Sequence, residues 1–289
     1  MCAHDEPKNN FKGVLGVSVP QLLICLCLVS AATVFGAHAA SPSGPPGYHL
    51  VWSDEFNTSG LPDPGKWVFD TEANATGWYN DELQYYAAGR RENAVVADGR
   101  LHITARRERL RDEPDYGGQG YSSARLITRG LASWQYGFFE VRAKLPCGAG
   151  SWPAIWMLGV EGDWPDGGEI DITEHVGNDP GVVHSTVHNR ATAGTPGNGD
   201  SLAVPTACSA FHLYQLEWTA EALRFAVDGV PVHLYRKAEA GPGGWPYDRA
   251  EYLLLNLAVG GEMGGAVDDA AFPLRFEVDY VRVYQRGEG

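Results

Sequence analysis

The sequence is poor in basic residues, with 22 lysines and arginines against 36 aspartates and glutamates in 289 residues, and its formal net charge at pH 7 is −14. Nucleic acids and anionic membrane surfaces attract basic proteins, so this shortage argues against both as partners and suits a neutral substrate. Internal repeats and interior low-complexity linkers are also missing, which gives no sign of a second domain. Residues 41–289 are enough for one large domain, which we expect to be a monomer.

The first forty residues differ from the rest. An almost wholly apolar run covers residues 14–37, two lysines precede it, and it ends in the small-residue pattern Ala37-His38-Ala39-Ala40. This arrangement predicts a secretory signal peptide over residues 1–40, so the mature protein is expected to be secreted, extracellular or periplasmic, and free of the membrane. The run is nearly long enough to span a bilayer, which leaves an N-terminal membrane anchor as the alternative.

Cysteine is scarce beyond that leader. Three of the five cysteines fall within the first forty residues, and only Cys147 and Cys208 remain in the mature chain. Two cysteines in an exported protein suggest one disulfide. A pairing also requires that the two residues lie close in space, so two free buried thiols remain the alternative at this point.

Alternation of apolar and polar residues is the main periodic pattern, and no segment carries a long helical stripe. Short alternating segments separated by Gly, Asn and Asp predict strands joined by tight turns, of which Asp228-Gly229 is one. We therefore expect an all-β sandwich or barrel in which one curved sheet lines a cleft. The alternating segments are residues 101–105, 136–145, 213–218, 223–227 and 276–284.

Three acids lie close together in the run GEIDITEH: Glu169, Asp171 and Glu174. In a regular strand Glu169 and Asp171 project from one face and Glu174 from the other. A β-bulge near residues 172–173 would return Glu174 to the face of the other two. The alternative is an exposed acidic strand edge without chemistry.

Glycosidase chemistry would require such a bulge. Retaining glycosidases use two carboxyl groups about 5–5.5 Å apart, one as nucleophile and one as acid/base. Like charges raise one another's pKa, so one member of a cluster of three acids should hold a proton near neutral pH. The segment therefore predicts glycosidase chemistry.

Aromatic residues surround this segment. The chain has nine tryptophans, and three of them, Trp152, Trp156 and Trp164, come just before the acids. Aromatic faces stack on sugar rings and exclude water, which favours a carbohydrate cleft. Packing in the core is the alternative for any one of these side chains.

These features resemble glycoside hydrolase family 16. The run from Glu169 to Glu174 is similar to the family's catalytic signature in its bulged form, E-x-D-x-x-E, and the resemblance extends over residues 48–285. It is strongest with the laminarinase-like branch, the endo-β-1,3-glucanases, and implies a jelly-roll β-sandwich of two curved antiparallel sheets with a concave substrate cleft. The matching segments are residues 52–56 (WSDEF), 78–86 (WYNDELQYY), 122–126 (SSARL), 136–140 (YGFFE), 152–158 (WPAIWML), 256–261 and 278–284.

The resemblance implies roles for individual residues. Glu169 would be the nucleophile, Glu174 the acid/base, and Asp171 the residue that tunes and orients them. The expected activity is cleavage of internal bonds in β-1,3- or mixed-linkage β-1,3-1,4-glucans by a retaining double displacement. The positions that match substrate-binding residues are Asn80, Glu82, Arg125, Trp152, Trp156, Trp164 and His188.

No cofactor is required for that chemistry. Some family members nevertheless hold a structural Ca²⁺ on the convex side, bound partly by backbone carbonyls. The positions that match this site are near Glu55, Gly99 and Asp279. A structural calcium ion is therefore an expectation of the resemblance.

The sequence departs from the branch at three places. Thr173 stands where Met is frequent, Tyr79 replaces a common Gly, and residues 262–265 (EMGG) replace a stretch that often carries Trp. These changes bear on linkage preference rather than on the reaction.

Two alternatives remain open within the same fold. Lichenases and xyloglucan transferases usually lack the bulge, but hydrolases of agarose or carrageenan can share it. Charged galactans would favour a basic cleft, and nothing in this acidic chain is strongly basic. The other alternative is a non-catalytic β-glucan recognition protein. Such relatives have typically lost the catalytic glutamates, which are both present here.

Overall fold

Two antiparallel β-sheets contain most of the regular structure in residues 44–287, the part of the chain that the computed structural model describes. Helical structure in these residues is limited to an α-helical turn at Gly261–Gly264 and two 3-10 turns, Lys237–Glu239 and Asp269–Ala271. The strands in chain order are β1 (Tyr48–Asp54), β2 (Val68–Phe69), β3 (Gln84–Tyr86), β4 (Ala94–Ala97), β5 (Arg100–Ala105), β6 (Tyr121–Ser123), β7 (Arg125–Ile127), β8 (Gly137–Lys144), β9 (Ser151–Gly159), β10 (Glu169–His175), β11 (Val182–His188), β12 (Asn198–Ala203), β13 (His212–Trp218), β14 (Ala222–Val227), β15 (Val230–Arg236), β16 (Glu251–Val259) and β17 (Leu274–Arg286).

The chain passes repeatedly from one sheet to the other. The eight-stranded sheet has the order β15-β14-β13-β8-β17-β5-β4, with β1 paired to β17. The seven-stranded sheet has the order β12-β11-β10-β9-β16-β7-β2, and β3 and β6 form a parallel pair of their own. This is the jelly-roll β-sandwich that the sequence predicted, and that prediction is confirmed.

One hydrophobic core lies between the two sheets. Strand β8 alternates between buried and half-buried residues, and its inward side chains are Phe139, Val141 and Ala143. In the facing sheet, Ile170 and Ile172 of β10 belong to the same core cluster. Full burial of a side chain such as Ile contributes about 1.5–3 kcal/mol. The two isoleucines therefore fix the orientation of β10, and Glu169 and Asp171, which alternate with them, must face away from the core.

Tight turns connect the hairpins where the sequence has Asp-Gly. Asp228 and Gly229 both adopt positive φ, 51° and 76°, between β14 and β15. Asp98 and Gly99 do the same, with φ of 53° and 71°, between β4 and β5. Two successive positive φ values are what a two-residue hairpin turn of type I′ requires, and Asp-Gly tolerates them.

The strands correspond to the alternating segments of the sequence. Residues 101–105, 136–145, 213–218, 223–227 and 276–284 fall in or around β5, β8, β13, β14 and β17. In residues 44–287, no helix is long and apolar enough to cross a membrane. The predicted signal peptide, residues 1–40, lies outside the described residues.

Candidate active site

Strand β10 contains the β-bulge that was predicted from the spacing of the three acids. Its pairing with β11 joins Glu169 to His188, Asp171 to Thr186 and Glu174 to His184, with a register shift between Asp171 and Glu174. Between these last two pairs the chain advances three residues along β10 but only two along β11. The pairing with β9 shifts at the same place, between Asp171 and Thr173. Glu174 thus returns to the face that carries Glu169 and Asp171, and the three carboxyl groups share one side of the sheet.

Two tryptophan indoles hold the outer carboxylates. Trp164 Nε1 donates a hydrogen bond to Glu169 Oε2 at 2.6 Å, and Trp152 Nε1 donates to Glu174 Oε1 at 2.9 Å. Trp152 is 9% exposed, whereas Trp164 is 57% exposed. Hydrogen bonds to ionised groups are stronger than neutral ones and fix the carboxylate rotamers. The sequence suggested these rings only as sugar-stacking surfaces, so their role as donors is new information from the structure.

Asp171 lies between the two glutamates and is almost completely buried. Burial raises the pKa of its carboxyl well above the ordinary value, and the nearby charges of Glu169 and Glu174 raise it further. The protonated carboxyl can donate a hydrogen bond to Glu169, with which it is in contact. His188 Nε2 lies 3.4 Å from Asp171 Oδ2. Asp171 is therefore placed to orient Glu169 without carrying a charge of its own.

Burial also changes the protonation of Glu174. It raises the pKa of this carboxyl to about 7, opposed by the hydrogen bond from Trp152 and assisted by the charges of Glu169 and Glu82. A carboxyl with a pKa near neutrality can both give and take a proton at working pH. Burial and mutual repulsion thus favour the protonated form of both Asp171 and Glu174, in the direction expected for a cluster of acids.

Arg125 forms one wall of the site, on strand β7. Its Nε lies 2.9 Å from Asp70 Oδ2, and its guanidinium lies over the rings of Trp78 and Trp156, at 5.0 and 4.8 Å. Guanidinium groups stack well on aromatic faces. Asp70 and Trp78 therefore fix the orientation of Arg125, a contribution that the sequence did not reveal.

A chain of hydrogen bonds extends from Trp156 to Glu82. Trp156 Nε1 donates to Asn256 Oδ1 at 2.7 Å, and Asn256 Nδ2 donates to the Tyr86 hydroxyl at 2.9 Å. That hydroxyl donates to Glu82 Oε2 at 3.3 Å, which also accepts from Gln84 Nε2 at 2.7 Å. The network links strands β9, β16 and β3 beside the acids of β10.

The remaining predicted residues lie near this network. Asn80 is exposed, and its side chain hydrogen-bonds Glu82. Burial raises the pKa of Glu82. Glu82 in turn lies close enough to Glu174 for its charge to raise the pKa of that acid. Sequence reasoning missed Tyr86 and Gln84 as site residues, although both stand in the WYNDELQYY segment.

The convex-side positions offer few free carboxylates. Glu55 accepts two hydrogen bonds from Arg282, at 2.9 and 2.8 Å, and Asp279 accepts one from Arg142 at 2.6 Å. Both side chains are therefore neutralised by arginine. A calcium ion here would depend mainly on main-chain carbonyl oxygens, including that of Gly99.

Two other groups of metal-type donors occur in residues 44–287. Glu169, Asp171 and His188 have ligand atoms within 4.8 Å of one another, and so do Cys147, His175 and Cys208. The first group consists of two acids of β10 and the neighbouring His188, and glycosidase chemistry of the predicted kind needs no ion.

Cys147 and Cys208 are joined as a disulfide, with their Cα atoms 5.7 Å apart. The pair lies beside His175, whose Nε2 is 4.0 Å from Cys208 Sγ. His175 follows Glu174 directly. The cross-link therefore supports the end of strand β10 from the side opposite the acids.

Comparison with known proteins agrees with this geometry. A family model described as "Glycosyl hydrolases family 16" matches residues 81–282. The chain belongs to glycosyl hydrolase family 16. It is 51% identical over 254 residues to a protein of Rhodothermus marinus named beta-glucanase, covering 83% of this chain and 86% of that protein.

Solved structures of family 16 enzymes superimpose closely. One is a non-specific endo-beta-1,3(4)-glucanase, SCLam, crystallised with 1,3-beta-D-cellotriosyl-glucose: TM-score 0.81, 51% identity, 83% of this chain and 96% of that one. Another is the laminarinase from Rhodothermus marinus: TM-score 0.77, 50% identity, 83% and 98% of the two chains. This family 16 chain is therefore a glycoside hydrolase of the laminarinase-like branch, and its chemistry requires no cofactor.

Proposed function

We propose that this enzyme is an endo-β-1,3-glucanase that hydrolyses internal bonds of β-1,3- or mixed-linkage β-1,3-1,4-glucans with retention of configuration. The observation that carries the proposal is the bulge in β10, which puts Glu169, Asp171 and Glu174 on one face. The similarity to a protein named beta-glucanase, and to a glucanase crystallised with a mixed-linkage glucan fragment, supports this substrate class.

In the first step Glu174, holding its proton at neutral pH, gives that proton to the oxygen of the leaving sugar. The carboxylate of Glu169 attacks the anomeric carbon, and a glycosyl ester forms with inverted configuration. Trp164 and Asp171 both contact Glu169. They hold the nucleophile in one orientation and delocalise its charge, which favours attack from a fixed direction.

In the second step Glu174, now a carboxylate, takes a proton from water. That water attacks the same carbon, the ester to Glu169 breaks, and the configuration inverts again. The charge left on Glu174 after the first step is stabilised by the hydrogen bond that the indole N–H of Trp152 donates to it. A pKa near neutrality suits both halves of this cycle, because the group must donate a proton and then accept one.

The substrate would lie along the face that carries the acids. Arg125, the Asn80–Glu82 pair and the Trp156 ring border it on one side, and His188 contacts Asp171 on the other. Guanidinium, amide and carboxyl groups can hydrogen-bond sugar hydroxyls, while the indole faces cover the ring carbons. Such a lining suits an uncharged polysaccharide.

Activity on four polysaccharides tests the proposal directly. Purified mature enzyme should release reducing ends from laminarin and from lichenan, and much less from agarose or carrageenan. Hydrolysis of a galactan in preference to both glucans would assign a different substrate. Binding to laminarin without any release would instead indicate a recognition protein.

Proton NMR of the earliest products tests the mechanism. Two displacements at one carbon predict that the β-anomer appears first and then mutarotates. An α-anomer formed first would mean a single displacement by water, and the roles given to Glu169 and Glu174 would then be wrong.

We also infer that the enzyme is exported and acts as a monomer, with glucan as its only macromolecular partner. N-terminal sequencing of exported protein should begin near Ala40 or Ser41. Light scattering during gel filtration should give the mass of one chain. An intact leader in the membrane fraction would contradict the first inference, and twice that mass would contradict the second.

A further inference from the structure

A second glutamate, unused by the mechanism, lies behind the nucleophile. Glu251 is the first residue of β16 and is 1% exposed. Its main chain makes two hydrogen bonds with Trp134, both at 2.9 Å, and it pairs with Gly159 of β9. Its neighbours at the same parity, Leu253 and Leu255, belong to the core, so its side chain points between the two sheets.

The Glu251 carboxyl is packed against the start of the catalytic strand. A methyl group built on Gly168 would lie 3.2 Å from Glu251 Oε1, 3.0 Å from Cε1 of Tyr247 and 2.8 Å from Cγ of Pro246. Gly168 directly precedes Glu169. Because Gly168 has no side chain, the Glu251 carboxyl can pack directly against its backbone.

Neither carboxyl oxygen of Glu251 has a hydrogen-bond partner among the described residues. An ionised carboxylate without a partner is very unfavourable in an apolar core, so such a group keeps its proton instead. Burial accordingly raises the pKa of Glu251 well above the ordinary value, and the charge of Glu169 raises it further.

The charged and titratable groups around Glu251 agree with a neutral carboxyl. The charge of Glu169 on β10 would repel a negative Glu251, and a negative Glu251 would in turn disfavour ionisation of Asp171 on β10 and of Tyr247 in the preceding loop. Only Arg249 opposes this trend. The two residues paired with it, Gly159 and Trp134, carry no charge.

Tyr247 connects this buried group to the main chain of the site. Its hydroxyl donates to the carbonyl of His188 at 2.9 Å and lies 3.4 Å from that of Glu169. A displacement of Glu251 would thus shift Gly168 and, through Tyr247, the paired strands β10 and β11 that position Glu169.

We propose that Glu251 is a positioning residue for the nucleophile: its uncharged carboxyl supports Gly168 and Glu169 from the core, and its ionisation at alkaline pH displaces them and lowers kcat. The effect on kcat rests on the proposed function, whereas the protonation of Glu251 does not. The unfolded chain loses the proton near the ordinary carboxyl pKa of about 4.3, while the folded enzyme keeps it to higher pH. The free energy of unfolding should therefore fall as pH rises from the carboxyl pKa of the unfolded chain to that of the folded enzyme.

The test compares wild type with Glu251→Gln, which keeps the shape and stays neutral at every pH. The ratio of their folding constants, wild type over variant, should fall as pH rises from 5 to 9, by at most about tenfold per pH unit for one proton. Infrared difference spectra at neutral pH should show the C=O stretch of a protonated carboxyl that the variant lacks. An exposed control, Glu221→Gln, should give a ratio that changes much less with pH.

Kinetics below the unfolding temperature tests the positioning role. On laminarin, kcat should decline at alkaline pH in both enzymes as Glu174 loses its proton, and it should decline more steeply in wild type than in Glu251→Gln, with KM nearly equal in the two. A pH-independent stability ratio, or identical alkaline limbs of kcat, would overturn the proposal. The stability ratio is measured without substrate, so it still decides the protonation of Glu251 if wild type proves inactive on glucans. That inactivity would count against the proposed function instead.

Discussion

The hydrogen bond from Trp152 to Glu174 gives a quantitative prediction about the acid/base. In Trp152→Phe the ring stays aromatic but the donor at 2.9 Å from Glu174 Oε1 is lost. A hydrogen bond to a charged group contributes about 1.5–3 kcal/mol. Because Glu174 is half-buried, water can replace part of this donor. We therefore expect the variant to lose about 1.4 kcal/mol of stabilisation of the Glu174 carboxylate, which corresponds to a pKa increase of about one unit.

The direction of the shift follows from which form the indole stabilises. The N–H donates to the carboxylate, so its loss disfavours ionisation and raises the pKa of Glu174 above its value of about 7. The free enzyme must carry the acid in its protonated form, so kcat/KM falls as pH rises through this pKa. We expect the alkaline limb of log kcat/KM to move from near pH 7 to about pH 8, even if the rate at the optimum drops.

Trp156→Phe is the matched control, since its indole donates to Asn256 rather than to a catalytic acid. It should lower kcat/KM without moving the alkaline limb. Initial rates on laminarin from pH 4 to 10 measure both variants. An unmoved limb in Trp152→Phe, or equal shifts in the two variants, would refute the assignment of that limb to Glu174.

Three further predictions concern the nucleophile, the disulfide and the metal. Glu169→Ala should abolish turnover of laminarin, and azide should restore cleavage of an activated β-glucoside with an inverted product; rescue with retention, or none, would contradict the role of Glu169. The Cys147→Ser, Cys208→Ser double variant should lose up to about 4 kcal/mol of unfolding free energy in denaturant titrations, given the 61-residue separation, whereas unchanged stability would mean that the native thiols are free. If calcium binds at the carbonyls near Glu55 and Gly99, removing it with EDTA should lower the melting temperature and added Ca²⁺ should restore it; equal melting temperatures would exclude the ion.

Local patterns in the sequence predicted the fold because a β-sandwich is determined mainly by alternation and by turns. The inward residues of β8 and the Asp-Gly turns can be read without knowing which strands pair. The bulge is a different kind of prediction. It came from a conflict between strand parity and the need for two carboxyls on one face, and the register of β10 resolves that conflict as expected.

The supporting residues could not be predicted in the same way. Asn256 and Tyr86 are 170 residues apart, and their hydrogen bond depends on β16 and β3 meeting at one edge of the site. Asp70 and Arg125 also form their ion pair between residues that are distant in the chain. Polar residues of these types are common, so only the fold distinguishes the few that support a catalytic group from those that face solvent.

The difference between the two glutamates also arises from their surroundings rather than from their chemistry. Both are glutamates on one face of one strand, and each accepts a hydrogen bond from a tryptophan. Trp164 is more than half exposed, so Glu169 lies where water and an exposed ring can stabilise its charge. Glu174 contacts the buried Trp152 and is influenced by the charges of Glu169 and Glu82, which favours its protonated form. The bulge contributes to this asymmetry, because it moves Glu174 out of the regular alternation, pairs it with Ala154 on β9 and leaves its carboxyl within reach of the Trp152 indole.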